Sequence, residues 1–586
     1  MRFSTLFKLT ALSAAMFTAS AQAAELPALK TLSGSGAGFA GGATINGGAS
    51  YLDEVPAGQK LALNGTITVA AADVGKSGSV LVVAKVGNKF YQHDGSSWST
   101  LDLDLTSSSL GIMPYTSGTL AATYTLSEDD LAASLGTDLT GKTVKVLFGY
   151  APDGSSIRYG KAVKTTVAAT PASDVCPDGA SPADPVALGG NKICTLSGTY
   201  LEDLHLTNNF DYVISGAVRI GNDNTVNPTL TIDPGVTTYG QSGNDFLWID
   251  RGAKIMANGT KNSPITMTSA NDAEATATTR GEWGGLVING NAPINGCAEG
   301  TTLCEASGEG NSGLFGGNDA NDNSGSLTYL RVKYAGFLIN DLDELNGIAF
   351  QGVGAGTNVD YVQVHNNQDD GIEFFGGTVN ARHLYLTGNR DDSLDWTKGF
   401  SGSVQHVVIV QGEDTGDQGF EMDNNGDAPD SSPRALPYFS NVTMIGNANT
   451  DIGMLIREGT GGHFHNFVVK GFADGCVDID QTETFTVAGS PESLTGDLVM
   501  TNTVLDCETS FIEDMDGPWT VQAWFDAQDG NTELDTGMTD YINSSAVNAL
   551  DSYDATQISS FFKAADYVGA VPSADADWTE GWTYRP

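Results

Sequence analysis

Three short segments hold the residues best equipped for chemistry. Asp369-Asp370-Gly371-Ile372-Glu373-Phe374, Asp391-Asp392-Ser393-Leu394-Asp395-Trp396 and Gln418-Gly419-Phe420-Glu421-Met422 put acidic side chains at matching places in one pattern. If each segment is a strand, Ile372 and Phe374 turn to one side and Glu373 to the other, and the same alternation turns out Asp395 and Glu421. Asp369, Asp370, Asp391 and Asp392 crowd the turn before, Asp414, Asp417 and Asp423 lie near in sequence, and Asn366, Asn367 and Asn389 add neutral oxygens. Stacked one strand spacing apart, such carboxylates oppose each other by about 3 kcal/mol at a surface-like dielectric. The remedies are a raised pKa, a basic partner or a hard cation. Calcium takes roughly six to eight oxygens from carboxylates and amides. The expected cofactor is therefore calcium, on Asp369, Asp370, Glu373, Asp391, Asp392, Asp395 and Glu421. A solvated acidic face and a catalytic calcium site are the competing expectations.

Other groups carry weaker signals. Arg382, Arg390, Lys398 and Arg457 are basic residues near the acidic set, as a lyase needs when calcium neutralises a uronate and a base takes the neighbouring proton. Arg390 abuts the aspartates and reads equally as an ion-pair partner. Trp396 and Phe400 are expected, with Arg390, to form a sugar-contacting surface, the alternative being that inward turns bury both rings. His365, His383 and His406 read as coil residues, whereas His463 and His465 alternate onto one face, as a metal pair would. Asn318 to Gly325, with Asp341, Asp343 and Glu344, has the texture of a calcium loop but lacks the spaced glutamate of an EF-hand. No nucleophile elbow, H-E-x-x-H, P-loop or dinucleotide fingerprint occurs.

The elements that must position these residues form a repeat. Small residues at 347, 371, 393, 419, 453 and 476 each open an apolar, variable, mostly apolar run, at offsets of 24, 22, 26, 34 and 23. Most copies follow a β-branched or apolar strand, such as Tyr361-Val362-Gln363-Val364 or His406-Val407-Val408-Ile409-Val410. Helical spacing is missing. A period of 22 to 26 residues made of strand, turn, strand, turn is one coil of a parallel β-helix, and the offset of 34 predicts a loop inserted at 424–437. The fold class is all-β: a right-handed parallel β-helix over 176–586, preceded by an immunoglobulin-like β-sandwich over 24–170 and a linker at 171–175. In the first unit, Val144, Val146, Phe148 and Tyr150 share one face of a half-buried strand. Phe90 to Trp98 reads as a packed hairpin or, less often, as aromatics displayed for sugar.

Residues 1–23 have the charged, apolar and small-x-small parts of a signal peptide, too short to span a bilayer. Lys+Arg 28 against Asp+Glu 71, net charge −43, makes phosphate backbones and anionic lipid poor partners. Six cysteines in an exported chain suggest disulfides, and sequence neighbours close the shortest loops: Cys176–Cys194, Cys297–Cys304 and Cys476–Cys507. None has the C-x-x-C spacing that zinc favours.

Leu230-Thr231-Ile232-Asp233-Pro234-Gly235-Val236, Gly281-Glu282-Trp283-Gly284-Gly285-Leu286-Val287-Ile288-Asn289-Gly290 and Asp369-Asp370-Gly371-Ile372-Glu373-Phe374-Phe375-Gly376-Gly377 carry a resemblance. From about Cys176 onward the chain resembles secreted right-handed β-helix proteins of Bacteroidota and marine proteobacteria. The resemblance implies fold and export, and fold alone assigns no chemistry. The expected function is an exported, calcium-stabilised scaffold, extracellular or on the cell surface, with the periplasm open. Its expected partner is a glycan or cell-surface polymer, with no nucleic acid and no membrane span. A calcium-dependent polysaccharide lyase or glycosidase is the alternative. Oligomeric state is left open.

Overall fold

The computed structural model describes residues 26–585, except 35, 46–50, 58–59, 88, 102–111, 172–174, 184–191, 299, 341–342 and 514–516. The expected signal peptide, most of the expected linker and Asp341 lie outside the described residues.

The N-terminal unit is a sandwich of antiparallel sheets. One sheet centres on Ser77–Val86 paired with Thr143–Pro152, and the other joins Gly38–Ile45, Leu61–Thr68 and Thr123–Glu128. Strict alternation buries Val80, Val82, Ala84 and Val86 against Val144, Val146, Phe148 and Tyr150, as the pattern predicts. Gly65 is small for a reason. A Cβ there would fall 2.4 Å from the Phe148 ring, which fills the space between the sheets. Tyr91 joins this core, while His93 meets Trp98 edge-on at 5.0 Å and bonds Glu128, so these aromatics pack a hairpin.

From Lys192 the strands stack in parallel, in a sheet of 26 strands that winds as a β-helix. Ile348, Ile372, Leu394, Phe420, Met454 and Val477 occupy one register position on successive coils, and all are fully buried inside. Rings stack along the interior: Phe350 on Phe374 at 5.3 Å, and Phe374 on Phe400 at 4.3 Å. Each buried ring of this size contributes about 1.5–3 kcal/mol of transfer free energy. A second ladder bends the coils. Tyr329, Tyr361, His383, His406, Asn441, Asn466 and Asn502 all adopt left-handed φ, between 48° and 63°, and turn each long strand from one face of the coil to the next. The long offset is spent where expected, on the irregular segment 424–437 between Phe420–Met422 and Tyr438–Ile445.

All three disulfides pair as sequence proximity predicts, Cys176–Cys194, Cys297–Cys304 and Cys476–Cys507. Among the described residues no helix is long and apolar enough to cross a membrane.

The sandwich meets the β-helix around Ser263, where Thr260 Oγ1 and Asn262 Nδ2 also donate to the Asp53 carboxylate, each at 3.3 Å. Ser263 Oγ donates to the Tyr51 carbonyl at 2.6 Å and accepts the Asp53 N–H at 3.1 Å. Ser263→Ala leaves both backbone groups without that partner and is expected to cost about 1–3 kcal/mol. Calorimetry should show the sandwich transition moving to lower temperature, and an unchanged trace would mean water replaces the hydroxyl.

Candidate functional site

The outward column of the coils changes chemistry along its length. Trp248, Val287, Ala349, Glu373, Asp395, Glu421 and Leu455 pair in sequence across successive strands. The acidic stretch thus continues an apolar one on the same face. That face is covered. Ile294 and Phe315, from the segment between Asn289 and Ser324, pack on Val287, Ala349 and Phe375. Asn295 then ties this cover to the 424–437 loop, donating to Asn424 Oδ1 at 2.8 Å and accepting from Asn425 Nδ2 at 3.0 Å. Glu373 and Asp395 are only 8% and 9% exposed. They point away from the coil interior, as alternation predicts, yet not into solvent. A solvated acidic face is therefore ruled out for this pair.

Burial sets the electrostatics. Carboxylate oxygens of Asp370, Glu373 and Asp395 lie within 4.8 Å of one another, and so do those of Glu344, Asp369 and Asp391, and of Asp391, Asp392 and Asp417. Desolvation pushes the Glu373 carboxyl up to about 7, against hydrogen bonding from Asp395 and Asn346. Glu421 is also raised to about 7 by desolvation, although Arg457 beside it acts the other way. Asp370, Asp392 and Asp395 lie well above the ordinary carboxylate range, from desolvation first and neighbouring carboxylates second. Backbone N–H groups offset part of this. Asp370 Oδ1 accepts from the Asp392 N–H at 3.0 Å, and Asp392 Oδ1 from the Gln418 N–H at 2.8 Å. Asn346 Nδ2 donates to Glu373 Oε2 at 2.7 Å. Asn346 Oδ1 and Asp395 Oδ1 are both buried without a hydrogen-bond partner. Orphaned oxygens in a set of buried carboxylates are what a cation would satisfy.

Beside the buried set opens a cleft of about 390 Å³, lined by Glu344, Asp369, Arg390, Asp391, Asp417 and Asp451 among others. Four of these aspartates follow from the coil register. The position two before the small residue is Asp369, Asp391, Asp417, Asp451 and then Asp474 on five successive coils. Sequence reasoning found the first three and missed Asp451, Asp474 and the amide of Asn346. The signal was there, since extending the repeat alignment back two residues reveals the column. Glu344 was grouped with the Asn318–Gly325 run, and the fold brings it instead to Asp369 and Asp391. In the Asn318–Gly325 run, Asp319 Oδ1 accepts the Asn321 N–H at 3.0 Å and Asp322 Oδ1 accepts from Asn291 Nδ2 at 3.1 Å.

Several expected contacts fall elsewhere. Trp396 and Phe400 are not a sugar platform, because both are fully buried. Trp396 shares its register with inward Phe374, stacks on Phe439 at 5.3 Å and donates to Thr460 Oγ1 at 3.2 Å. Phe400 follows the left-handed Lys398 and Gly399, which return the chain into the coil. Arg390 is exposed at the cleft. Arg457 pairs with Glu421 and Asp423, and Arg382 donates to the Phe561 carbonyl. Asn367 and Asn389 are buried between coils, Asn389 Oδ1 accepting the Asn367 N–H at 3.2 Å. His465 bonds Thr501 and stacks on Tyr553, while His463 lies against Tyr438.

Comparison with known proteins adds a family. The model of the pectate-lyase-like β-helix domain matches residues 198–583. No curated protein matches the chain by sequence. A solved structure, the catalytic domain of a GH87 alpha-1,3-glucanase in complex with tetrasaccharides, aligns at 10% identity over 87% of this chain and 98% of that chain, with a TM-score of 0.19.

Proposed function

The chain belongs to the pectate-lyase-like β-helix domain family, and from that premise we propose that it is an exported, calcium-binding scaffold that holds a glycan or cell-surface polymer at its acidic cleft. One observation carries the reading. Asp370, Glu373 and Asp395 are buried with their oxygens within 4.8 Å of one another, and Asp395 Oδ1 has no partner. Among the described residues none of the three forms an ion pair with a basic side chain, whereas Glu421 and Asp423 share Arg457. Oxygens about 2.3–2.6 Å from one calcium ion sit at most about 5 Å apart across it, so the triad has the right span. Asn346 Oδ1 offers a neutral ligand beside it. Calcium would neutralise the set and hold the coils in register, while Glu344, Asp369, Asp391 and Arg390 face the cleft. Three disulfides and a β-helix fold support an extracellular setting.

A second reading rests on a different property of the same groups. Carboxyls raised to about 7, as at Glu373 and Glu421, are protonated often enough near neutral pH to act as general acids. Next to a cleft, that is the equipment of a polysaccharide lyase or glycosidase.

A panel of neutral, anionic and amino-bearing polysaccharides separates the two. Each is incubated with chelated and with calcium-loaded protein, and both retention and new chain ends are measured. The scaffold reading expects calcium-dependent retention without new ends, weakened by Arg390→Ala with unchanged melting. New chain ends that vanish in Glu373→Gln, at unchanged melting, would replace the scaffold by the enzyme.

A further inference from the structure

Residues 551–584 lie along one outer face of the β-helix, passing from the coils of Asn502 and Asn466 to that of Arg382, forward again to that of Asn466, and finally to those of Tyr329 and Gln363. Asn502 Nδ2 donates to the Asp551 carbonyl, Asn441 Nδ2 to Tyr567 and Arg382 Nη2 to Phe561, each at 2.8–2.9 Å. Three amides each grip both the N–H and the carbonyl of a strap residue. Asn466 donates to the Tyr553 carbonyl at 2.9 Å and accepts its N–H at 2.7 Å. Gln405 does the same to Lys563, at 2.8 Å both ways. Gln363 donates to the Tyr584 carbonyl at 2.8 Å and accepts its N–H at 2.7 Å. Gln363, Gln405, Asn441 and Asn466 are fully buried beneath the strap.

Rings complete the cover. The left-handed ladder is itself stacked, Tyr329 on Tyr361 at 4.5 Å, Tyr361 on His383 at 4.2 Å and His383 on His406 at 4.9 Å. Trp582 stands edge-on to Tyr329 at 5.5 Å and Trp578 to His383 at 5.0 Å. Tyr553 lies flat on His465 at 4.0 Å.

Sequence distance makes this unusual for a solenoid. Neighbouring coils here pair across as few as 22 residues and, around the inserted segments, as many as 70, whereas the strap reaches its partners across 87 residues at Asn466, 158 at Gln405 and 221 at Gln363. Stacked repeats couple only to their neighbours, and contacts distant in sequence form late because the intervening chain must first be ordered. We propose that residues 551–584 are a latch, which docks after the coils have stacked and joins coils as far apart as Tyr329 and Asn502 in one unfolding unit. The latch needs neither the cation nor a glycan, so it stands apart from the reading of the acidic cleft.

Pulse-labelling hydrogen exchange during refolding of the wild-type chain from urea tests the order. Amides of 551–584 should gain protection after those of 358–470, and protection at the same time or earlier overturns the latch. Coupling is tested with Gln405→Ala combined with Asn466→Ala. Native-state exchange of the strap should rise at least tenfold, and the coils around Asn358–His365 and Gly462–Lys470 should separate from one shared urea midpoint into two. A freed strap over coils that still share one midpoint overturns the coupling. If the double variant does not fold, native-state exchange of the wild type against urea decides: strap and coil amides merging into one opening supports coupling, and strap amides opening far below the coils refutes it.

Discussion

Removing divalent ions with chelator and then returning calcium should raise the unfolding free energy of the protein, by about 2.7 kcal/mol when free calcium is a hundredfold above its dissociation constant. The expectation follows from burial. Glu373 and Asp395 lie one coil apart and under 10% exposed, and burial raises the pKa of neighbouring Asp370 and Asp392. Ionising them without a cation sets like charges together where water cannot screen them. Asp395→Asn and Glu373→Gln remove charge at almost constant volume. Without calcium these variants should melt no lower than the wild type. Their response to calcium should vanish, because ligands are lost. Alanine at either position would confuse the result with a cavity. The measurement is melting temperature against calcium concentration, with bound metal counted by mass spectrometry. No bound calcium and no shift in the wild type would leave the triad held by shared protons, and the scaffold reading would lose its cofactor.

Much of this arrangement is legible in the amino-acid sequence. The coil repeat is periodic in residue type, and stacking has a single register, so Ile372, Leu394 and Phe420 must fall inside together. The same register turns out Glu373, Asp395 and Glu421, and it also buries Trp396. Trp396 and Phe374 occupy one position on neighbouring coils, so a sugar-facing Trp396 contradicts the alternation that places Phe374 inside. Burial of the acidic column cannot be read in this way. It depends on Ile294, Phe315 and the Asn295 tie, which lie outside the repeat and some 60 to 130 residues away. Contacts between an irregular segment and a periodic one leave no periodic trace, and the strap over the Asn466 ladder is invisible in the sequence for the same reason. Cysteine pairing is legible because short loops close at least entropic cost.

Acidity should reveal the buried carboxyls even if no metal binds. Glu373 and Glu421 titrate near 7 in the folded chain, against about 4.3 for an unfolded glutamate. A carboxyl raised on folding binds its proton more tightly in the native state. Its contribution is complete below about pH 4.3 and is lost as pH rises through 7, on the order of 3 kcal/mol for one such group before coupling to its neighbours. Buried histidines pull the other way. Desolvation holds His365, His406 and His465 down to about 3, so their share of stability is present above about 6.5 and lost as pH falls towards 3. The total pH profile of the wild type therefore mixes opposing slopes. A comparison with Glu373→Gln isolates one of them, since both chains keep the histidines. Urea unfolding in chelator, from pH 4.5 to 7.5, should show the wild type losing ground steadily to Glu373→Gln across that range. Calcium added at pH 7.5 should restore the wild type alone, because the cation then replaces the protons. Parallel profiles for the two chains would mean that Glu373 ionises as freely in the folded protein as in the unfolded one, and the covered acidic column would have to be open to water.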